Sequence, residues 1–362
     1  MKTIILTIDY ELFLGTITGD VQSCMYDPTE KLARLLADYQ GKMTIFWDIL
    51  HYYKLLEYQA QYPELKNDIS KIEAQILSLA RQGHDIQLHL HPHWLDAVYE
   101  KKKWHFDYTR FRLHSLSQND DQNDINTITG CIHISKKLLE NLIRKVKPKY
   151  KVTTFRAGGY LVQPFSTLKD ALLKNDIPID SSVCPGLKND NEIFSYDFQN
   201  YPRLRYYKFS EDPKKATSGG YFTEIPIQTI KIPVHMNLYF AFLRNIKYKN
   251  LYSRLMGTGS GQSTNQPSKN ILFKIFNLVF RSDLKQFTTD GNFKEIFLYM
   301  LRKSENNSTM ILHSKLINDH VISLLLNVSQ KNKAKFISLK DHLASLDLKE
   351  SLTSSRAYKK IS

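Results

Sequence analysis

The opening stretch of the chain, TIILTIDYE, carries apolar or β-branched residues at consecutive positions and then ends in carboxylates. A run of this kind is typical of a strand that is covered on both faces. Residues 27–41 follow with a helical pattern, in which we expect Asp27 as the N-cap, Pro28 at the first helical position and Gly41 as the stop. The pattern therefore predicts a buried strand followed by an amphipathic helix.

The same alternation continues along the chain. The segments MTIFWDI and DIQLHLH predict the second and third strands, and residues 67–84 between them have the apolar spacing of a helix. Seven or eight such units that close on themselves would form a parallel α/β barrel. An open doubly wound sheet is the rival architecture, but it usually has a Gly-rich turn after its first strand, where this chain has DYELFLG. We therefore predict a barrel.

Two stretches interrupt the alternation. Residues 99–125 have the composition of a long loop, and residues 236–285 are apolar, aromatic and basic around a Gly/Ser/Asn-rich linker at 257–269. The second insertion has two interpretations, which are helices packed on the barrel or a patch that contacts an anionic membrane surface. We predict a single domain over residues 1–347 and a frayed basic tail over 348–362.

Composition narrows the class of protein. Hydrophobic residues make up 42% and charged residues 24% of the chain, which is typical of a globular protein and excludes disorder of the whole chain. A net charge of +14 favours an anionic partner, such as a phosphate-bearing substrate or an acidic membrane surface. Because no zinc-finger, basic-zipper or RNA-recognition pattern is present, we expect no nucleic-acid partner.

The termini and the cysteines bear on location. Cys24, Cys131 and Cys184 are too widely spaced to indicate a disulfide framework or a thiolate metal site. Carboxylates interrupt the first apolar run, so we interpret it as a strand and not as a signal peptide. No stretch reaches the ~20 apolar residues that span a bilayer. We expect a cytoplasmic protein, with peripheral contact to the inner face of the membrane as the alternative for the second insertion.

The segment GHDIQLHLHPHW contains four histidines, at positions 84, 89, 91 and 93. Extended geometry would align His89, His91 and His93, whereas a helical turn would align His89 with His93. Either geometry brings two imidazoles together, and zinc sites of catalytic type use three protein ligands and water. The pattern therefore predicts a metal site that needs a further ligand. His84 precedes the strand, and we expect it to cap or pack.

Two carboxylates at the end of the first strand are candidates for the remaining chemistry. Asp9 and Glu11 are two positions apart, so their side chains share one face of the strand. Barrel enzymes gather their sites at the carboxyl ends of the strands, where these acids and the histidines both fall. One acid could bind a metal while the other takes a proton from water.

These segments resemble the polysaccharide deacetylases that share the NodB-homology domain. LTIDYE is similar to the first motif of that family, and GHDIQLHLHPH is similar to its histidine motif, in which His89 and His93 match the metal ligands. The resemblance continues through FRAGGY, IPIDSSV and MILHSK in the order of the family's later motifs. It covers nearly the whole chain, from residue 4 to about residue 347.

The resemblance implies a distorted (β/α)7 barrel that uses a divalent metal, most often Zn²⁺, to remove an N-acetyl group from a sugar. It implies that Asp9 is the general base, His313 the general acid, Arg156 the partner that orients the base, and Asp180 the partner of His313. One position departs from the family, because Tyr10 stands where a second Asp would bind metal. We expect Glu11 to replace it, and Asp9 and Glu11 could exchange roles.

Neighbouring aromatic residues and the wider function complete the prediction. Trp94 and Tyr160 lie beside the motifs and could stack on sugar rings or simply pack. We expect an acetylated glycan, linked to a lipid or nucleotide carrier in surface-polysaccharide biosynthesis, as the substrate. The alternatives are hydrolysis of a non-sugar amide on the same barrel and a catalytically silent barrel that binds glycan or acidic lipid.

Overall fold

The structure is a computed structural model that describes residues 1–15, 17–190, 193–248 and 283–346. In chain order its strands are β1 (Lys2–Tyr10), β2 (Thr44–Asp48), β3 (Asp85–Leu90), β4 (Val98–Glu100), β5 (Lys103–His105), β6 (Thr154–Ala157), β7 (Ile179–Asp180), β8 (Lys188–Asp190), β9 (Ser195–Asp197), β10 (Tyr207–Phe209), β11 (Phe222–Glu224), β12 (Thr229–Ile232), β13 (Asp283–Gln286), β14 (Ser308–His313) and β15 (Ala334–Ile337). The helices bounded within these ranges are α1 (Asp27–Asp38), α2 (Ile49–Tyr58), α3 (Leu65–Arg81), α4 (Ile128–Arg144), α5 (Ser166–Lys174), α6 (Val234–Ile246), α7 (Lys294–Lys303) and α8 (Asp319–Gln330).

The main sheet is parallel through its centre. Its strands follow the order β10, β11, β7, β6, β3, β2, β1, β14, and β15 also pairs with β1. β1 therefore has neighbours on both sides, and every residue from Ile4 to Tyr10 is buried. This burial explains the consecutive apolar positions at the start of the sequence.

The sheet curls into a ring of seven strands, namely β1, β2, β3, β6, β7, β11 and β14. The joint between the chain after β11 and β14 is a single parallel bridge, which pairs Ile227 with Thr309. A hydrogen bond of 3.0 Å from the Gln228 amide to the Thr309 carbonyl supports it. The predicted distorted (β/α)7 barrel is confirmed, and the distortion is concentrated at this joint.

The helices pack around the ring through apolar faces. α3, for example, buries Ile69, Ile72, Ile76 and Leu79, which recur at helical spacing. The predicted cap of α1 differs from the structure. Asp27 lies inside the helix, because a π-helical turn over Gln22–Tyr26 runs directly into it, and no side chain caps this end.

The two insertions are described in part. Residues 99–125 include most of the hairpin of β4 and β5 and a 3-10 turn at Leu113–Ser115, and the rest is largely loop. The second insertion begins within α6, and its last described residues form β13, which pairs antiparallel with β12. The linker 257–269 and the tail 348–362 lie outside the described residues. Within the described ranges, no helix combines the length and apolar character that crossing a membrane requires.

Candidate metal centre and active site

The carboxyl ends of neighbouring parallel strands bring the predicted site residues to one end of the ring. Asp9 of β1 is in register with His313 of β14, and His89 of β3 is in register with both Asp48 of β2 and Arg156 of β6. Side chains of one sheet face that are in register lie about 5 Å apart across the strands. The sequence therefore places distant acids and bases side by side through strand register alone.

Glu11, His89 and His91 form a compact, fully buried cluster. His89 Nε2 lies 3.2 Å and His91 Nε2 lies 2.9 Å from Glu11 Oε2, and the two nitrogens are 3.1 Å apart. Two ligand atoms on one tetrahedral Zn²⁺ lie about 3.3 Å apart, given bonds of about 2.0–2.1 Å. Two imidazoles and a carboxylate at this spacing fit a divalent metal of the zinc type.

Hydrogen bonding orients His89 as a ligand. Its Nδ1 lies 2.9 Å from the carbonyl oxygen of Arg156, and a carbonyl oxygen only accepts, so Nδ1 carries a proton. In the neutral ring the Nε2 lone pair therefore points at Glu11 and His91. A backbone partner on the second nitrogen is the usual device that fixes a metal-binding imidazole.

His91 depends on a close approach of backbone. A Cβ on Gly158 would lie 2.6 Å from His91 Nδ1 and 2.5 Å from the Leu90 carbonyl oxygen, so only glycine leaves space for the ring. Within the described residues His91 Nδ1 has no hydrogen-bond partner. The ring is therefore held by packing on one side and by Glu11 on the other.

Opposite charges surround the carboxylate of Glu11. Burial alone would raise the pKa of Glu11, but the Lys315 ammonium, 2.7 Å from Oε1, and the two histidines hold that pKa well below its usual range. Burial lowers the pKa of His89, yet the carboxylates of Asp9, Glu11 and Asp48 together raise it to about 9. When no metal is bound, a protonated His89 therefore provides part of the positive charge that stabilises these carboxylates.

His93 does not join this cluster. The 3-10 turn over Pro92–Asp96 turns the chain away from the strand direction after His91. The His93 ring lies among aromatic rings, stacked on Phe111 with ring centroids 5.0 Å apart, and neither of its nitrogens has a hydrogen-bond partner among the described residues. Burial holds its pKa well below the usual range. The pairing of His89 with His93 is therefore corrected to His89 with His91.

Asp9 and Arg156 form a buried ion pair, as predicted. Arg156 Nη1 donates to Asp9 Oδ1 at 2.7 Å, and the guanidinium is also bonded to Thr7 Oγ1 and to Ser181. The guanidinium carbon lies 3.9 Å from the ring centroid of Phe46. Arg156 therefore fixes one carboxylate oxygen of Asp9. The other oxygen lies 3.9 Å from His89 Nε2 and 3.7 Å from His313 Nε2.

His313 is held by Asp290 and not by Asp180. Asp290 Oδ2 lies 2.8 Å from His313 Nδ1 and also accepts the His313 backbone amide at 3.0 Å. Burial lowers the pKa of His313, but Asp290, Asp9 and Glu11 outweigh burial, so the pKa is raised. Asp180 instead bonds to Ser182 and lies in register with Glu224, and burial raises the pKa of both of these acids. The predicted pairing of Asp180 with His313 is corrected.

The two aromatic candidates differ. Trp94 is completely buried, and its indole nitrogen donates to Asp48 Oδ2 at 2.7 Å, so its ring presents no face to a sugar. This corrects the prediction that Trp94 stacks on substrate. Tyr160 is partly exposed and contacts Tyr196 edge-on, with ring centroids 6.0 Å apart. Its role as a sugar-stacking residue stays a prediction.

Sequence reasoning missed four residues of this site, namely His91 as a ligand, Asp290, Lys315 and Asp48. Asp48 had a usable signal, because it is a carboxylate that ends an apolar strand in the same way as Asp9. It is completely buried, and its Oδ1 has no hydrogen-bond partner among the described residues. Asp290 had no signal, since it precedes α7 and reaches His313 only through the fold. The opposite orientation of Tyr10 is confirmed, because its hydroxyl donates to Gln75 of α3.

No family model matches the sequence, and the search of curated proteins gives no match. Among solved structures, the chain is similar to the peptidoglycan deacetylase PdaC from Bacillus subtilis, with 11% identity, 99% of this chain and 97% of that chain covered, and a TM-score of 0.38. A putative polysaccharide deacetylase from Mycobacterium smegmatis has 13% identity, coverages of 96% and 92% and a TM-score of 0.43. The 4-alpha-glucanotransferase from Thermococcus litoralis has 11% identity, coverages of 95% and 40% and a TM-score of 0.44.

Proposed function

We propose that this protein is a metal-dependent hydrolase of the polysaccharide deacetylase type, which removes an N-acetyl group from a sugar. The observation that carries the proposal is the meeting of three groups at one end of the barrel. These are the Glu11, His89 and His91 cluster, the Asp9 and Arg156 ion pair, and the His313 and Asp290 pair. Together they offer a metal site, a base and an acid.

Different residues of the chain would act as base and as acid in amide hydrolysis. When bound, a divalent ion such as Zn²⁺ supplies Lewis acidity toward an amide carbonyl and toward a water molecule. Arg156 holds Asp9 Oδ1, which leaves Oδ2 to accept a proton from the attacking water. His313 has a raised pKa and a carboxylate on Nδ1, so its Nε2 can protonate the departing amine.

Metal analysis coupled to acetate release tests this proposal. Protein purified without chelator should contain about one equivalent of divalent metal and release acetate from an N-acetylated sugar. The Asp9→Asn variant should keep the metal and lose acetate release, whereas the His89→Ala variant should lose both. The control is Asp38→Asn, at an exposed acid of α1, which should keep both. Acetate release by metal-loaded Asp9→Asn would contradict the assigned base. Metal below about a tenth of an equivalent would favour the silent barrel that binds glycan or lipid.

The substrate class is part of the proposal. We propose a glycan on a lipid or nucleotide carrier, since the net charge of +14 suits a phosphate-bearing molecule. A panel of free, nucleotide-linked and lipid-linked N-acetylated sugars, with non-sugar amides included, should show the highest kcat/KM for a carrier-linked sugar. A higher value for a non-sugar amide would overturn the sugar assignment. The cytoplasmic location stays a prediction.

Peripheral membrane contact is the last part of the proposal. Leu238, Phe242 and Ile246 recur every four residues on α6, and they are 40%, 58% and 67% exposed. An apolar helix face of this kind on a basic protein suits an anionic lipid surface. The protein should sediment with anionic vesicles and be released by salt, and Phe242→Ser should sediment less. Equal sedimentation with neutral vesicles would contradict this contact.

A further inference from the structure

A cavity of about 420 Å³ lies apart from the metal cluster. It is lined by the segment around Arg203, the chain from Pro226 to Lys231, the end of α7 and the first residues of β14. Ser308 of the lining is five residues from His313 along an extended strand, which corresponds to about 16 Å. No residue of the metal cluster lines this cavity.

The cavity is strongly cationic. Four basic side chains line it, Arg203, Arg205, Lys231 and Lys303, against the single carboxylate of Glu305, which leaves four minus one, or three, positive charges. Glu305 Oε2 lies 3.9 Å from Arg205 Nε. Within the described part of the chain, no carboxylate pairs with Arg203, Lys231 or Lys303. Charges gathered without partners favour a multiply charged anion.

Arg203 lines the cavity and packs against the backbone of Gly186. Gly186 has a φ of +85°, and a Cβ at this position would collide with the Arg203 guanidinium. The guanidinium therefore packs against the backbone of residue 186 on one side, while the Arg203 side chain remains exposed to solvent. A guanidinium at the edge of the cavity offers the planar set of donors that suits phosphate oxygens.

Part of the remaining lining is apolar, beside polar residues of the chain after β11 and of β14. Tyr299 and Ile230 are buried in the wall, and Leu204 is 54% exposed at the rim. The volume falls in the range of about 300–1,000 Å³ that is typical of sites for small organic molecules. The cavity therefore suits an anion that carries an apolar or aromatic body.

The cavity also spans the weakest joint of the barrel. Pro226 and Gln228 lie on one side of the Ile227–Thr309 bridge, and Ser308 and Thr309 form the other side. A molecule that contacts both sides would hold the joint closed, and any ligand that binds only the folded state raises the unfolding temperature.

We propose that this cavity is a binding site for a phosphorylated small molecule, with the phosphate held by Arg203, Lys231 and Lys303 and the apolar body placed against Tyr299, Ile230 and Leu204. The site is separate from the catalytic cluster and does not rest on the proposed deacetylase function. The phosphate can belong to a nucleotide or to a lipid headgroup.

Calorimetric titration of the full chain tests the site with three probes, namely inorganic pyrophosphate, a nucleoside diphosphate and a short-chain phosphatidic acid below its micelle concentration. We expect one of the two organic probes to bind at least about tenfold more tightly than pyrophosphate, to bind more weakly in high salt and to raise the Tm. The organic probe that binds identifies the source of the phosphate.

Charge removal decides whether binding is at this cavity. Arg203→Met and Lys303→Met should each weaken binding about tenfold, which corresponds to about 1.4 kcal/mol. Lys66→Met, at an exposed lysine of α3 outside the cavity, should leave affinity unchanged. Failure of both organic probes to bind, or equal affinity in all three variants, would overturn the proposal. Metal content and acetate release should be unchanged in Arg203→Met, so this result is independent of the test of the proposed function.

Discussion

His91 completes the metal cluster at the scale of single residues, whereas His93 lies among aromatic rings two positions later. We predict that His91→Ala lowers the affinity for Zn²⁺ about 100-fold or more, because it removes a donor nitrogen. His93→Leu should keep the affinity, since the substitution removes only a buried ring with unpartnered nitrogens. Competition with a chromogenic chelator measures both. Equal losses of Zn²⁺ affinity in the two variants would show that His93 is also a metal ligand.

Lys315 compensates the charge of Glu11 when no metal is bound. Its ammonium lies 2.7 Å from Glu11 Oε1 and 3.0 Å from the Leu12 carbonyl oxygen. We predict that Lys315→Met lowers the free energy of unfolding in chelator by about 3 kcal/mol, because it leaves a buried carboxylate without its cation. A bound metal replaces that cation, so the loss should be smaller in saturating Zn²⁺.

Urea unfolding of the Lys315→Met variant with and without metal measures this difference, with Lys66→Met as the control. By linkage, a variant that is destabilised more in the metal-free state must bind metal more tightly. An equal loss of stability in the two conditions would show that Lys315 acts on packing and not on the charge of Glu11.

At the scale of elements, the turn after β6 packs closely against the end of β3, and the contact is at Gly158. A Cβ there would enter the space of the His91 ring and the Leu90 carbonyl. We predict that Gly158→Ala lowers metal affinity about tenfold by displacing His91. In a double-mutant cycle, the substitution should cost no further affinity in a His91→Ala background. Additive losses would contradict an effect that acts through His91.

The sequence predicts the ends of the elements better than the contacts between them. Apolar runs that end in Asp9, Glu11 and His89 locate the strand ends, and parallel register then brings these residues together. Local pattern could not distinguish His91 from His93, because the choice depends on a turn that begins at Pro92. Asp290 and Lys315 are partners through folding, so spacing along the chain carries no signal for them.

At the scale of the whole molecule, alternation of strands and helices correctly predicts a ring of parallel strands around which helices pack. It could not predict how the ring closes, because closure rests on one residue pair, Ile227 with Thr309 of β14, and periodicity does not specify which strands pair. The chain from Pro226 to Lys231 therefore forms one side of the closing bridge and also lines the cationic cavity.

Stability of the whole barrel should depend on pH through histidines that are buried without partners. His51 is completely buried between Trp94 and Trp104, with ring centroids 4.6 Å and 6.2 Å away, and burial lowers its pKa to about 3. Its contribution to stability is fully present above the unfolded pKa of about 6.5 and is lost as the pH falls toward the folded value. His84 differs in that its Nδ1 accepts the Met43 amide at 3.2 Å, but burial lowers its pKa to about 4, so it acts in the same direction.

We therefore predict that His51→Leu gains stability relative to the natural protein as the pH falls from about 7 to about 5, by up to about 1.4 kcal/mol per pH unit. Urea unfolding at a series of pH values measures the difference between the two proteins, in which the titration of all other groups cancels. Above about pH 7.5 the difference should be constant, because the imidazole is neutral in both the folded and the unfolded chain. A difference that does not change over the whole series would show that water or a conformational change solvates His51 in the folded protein.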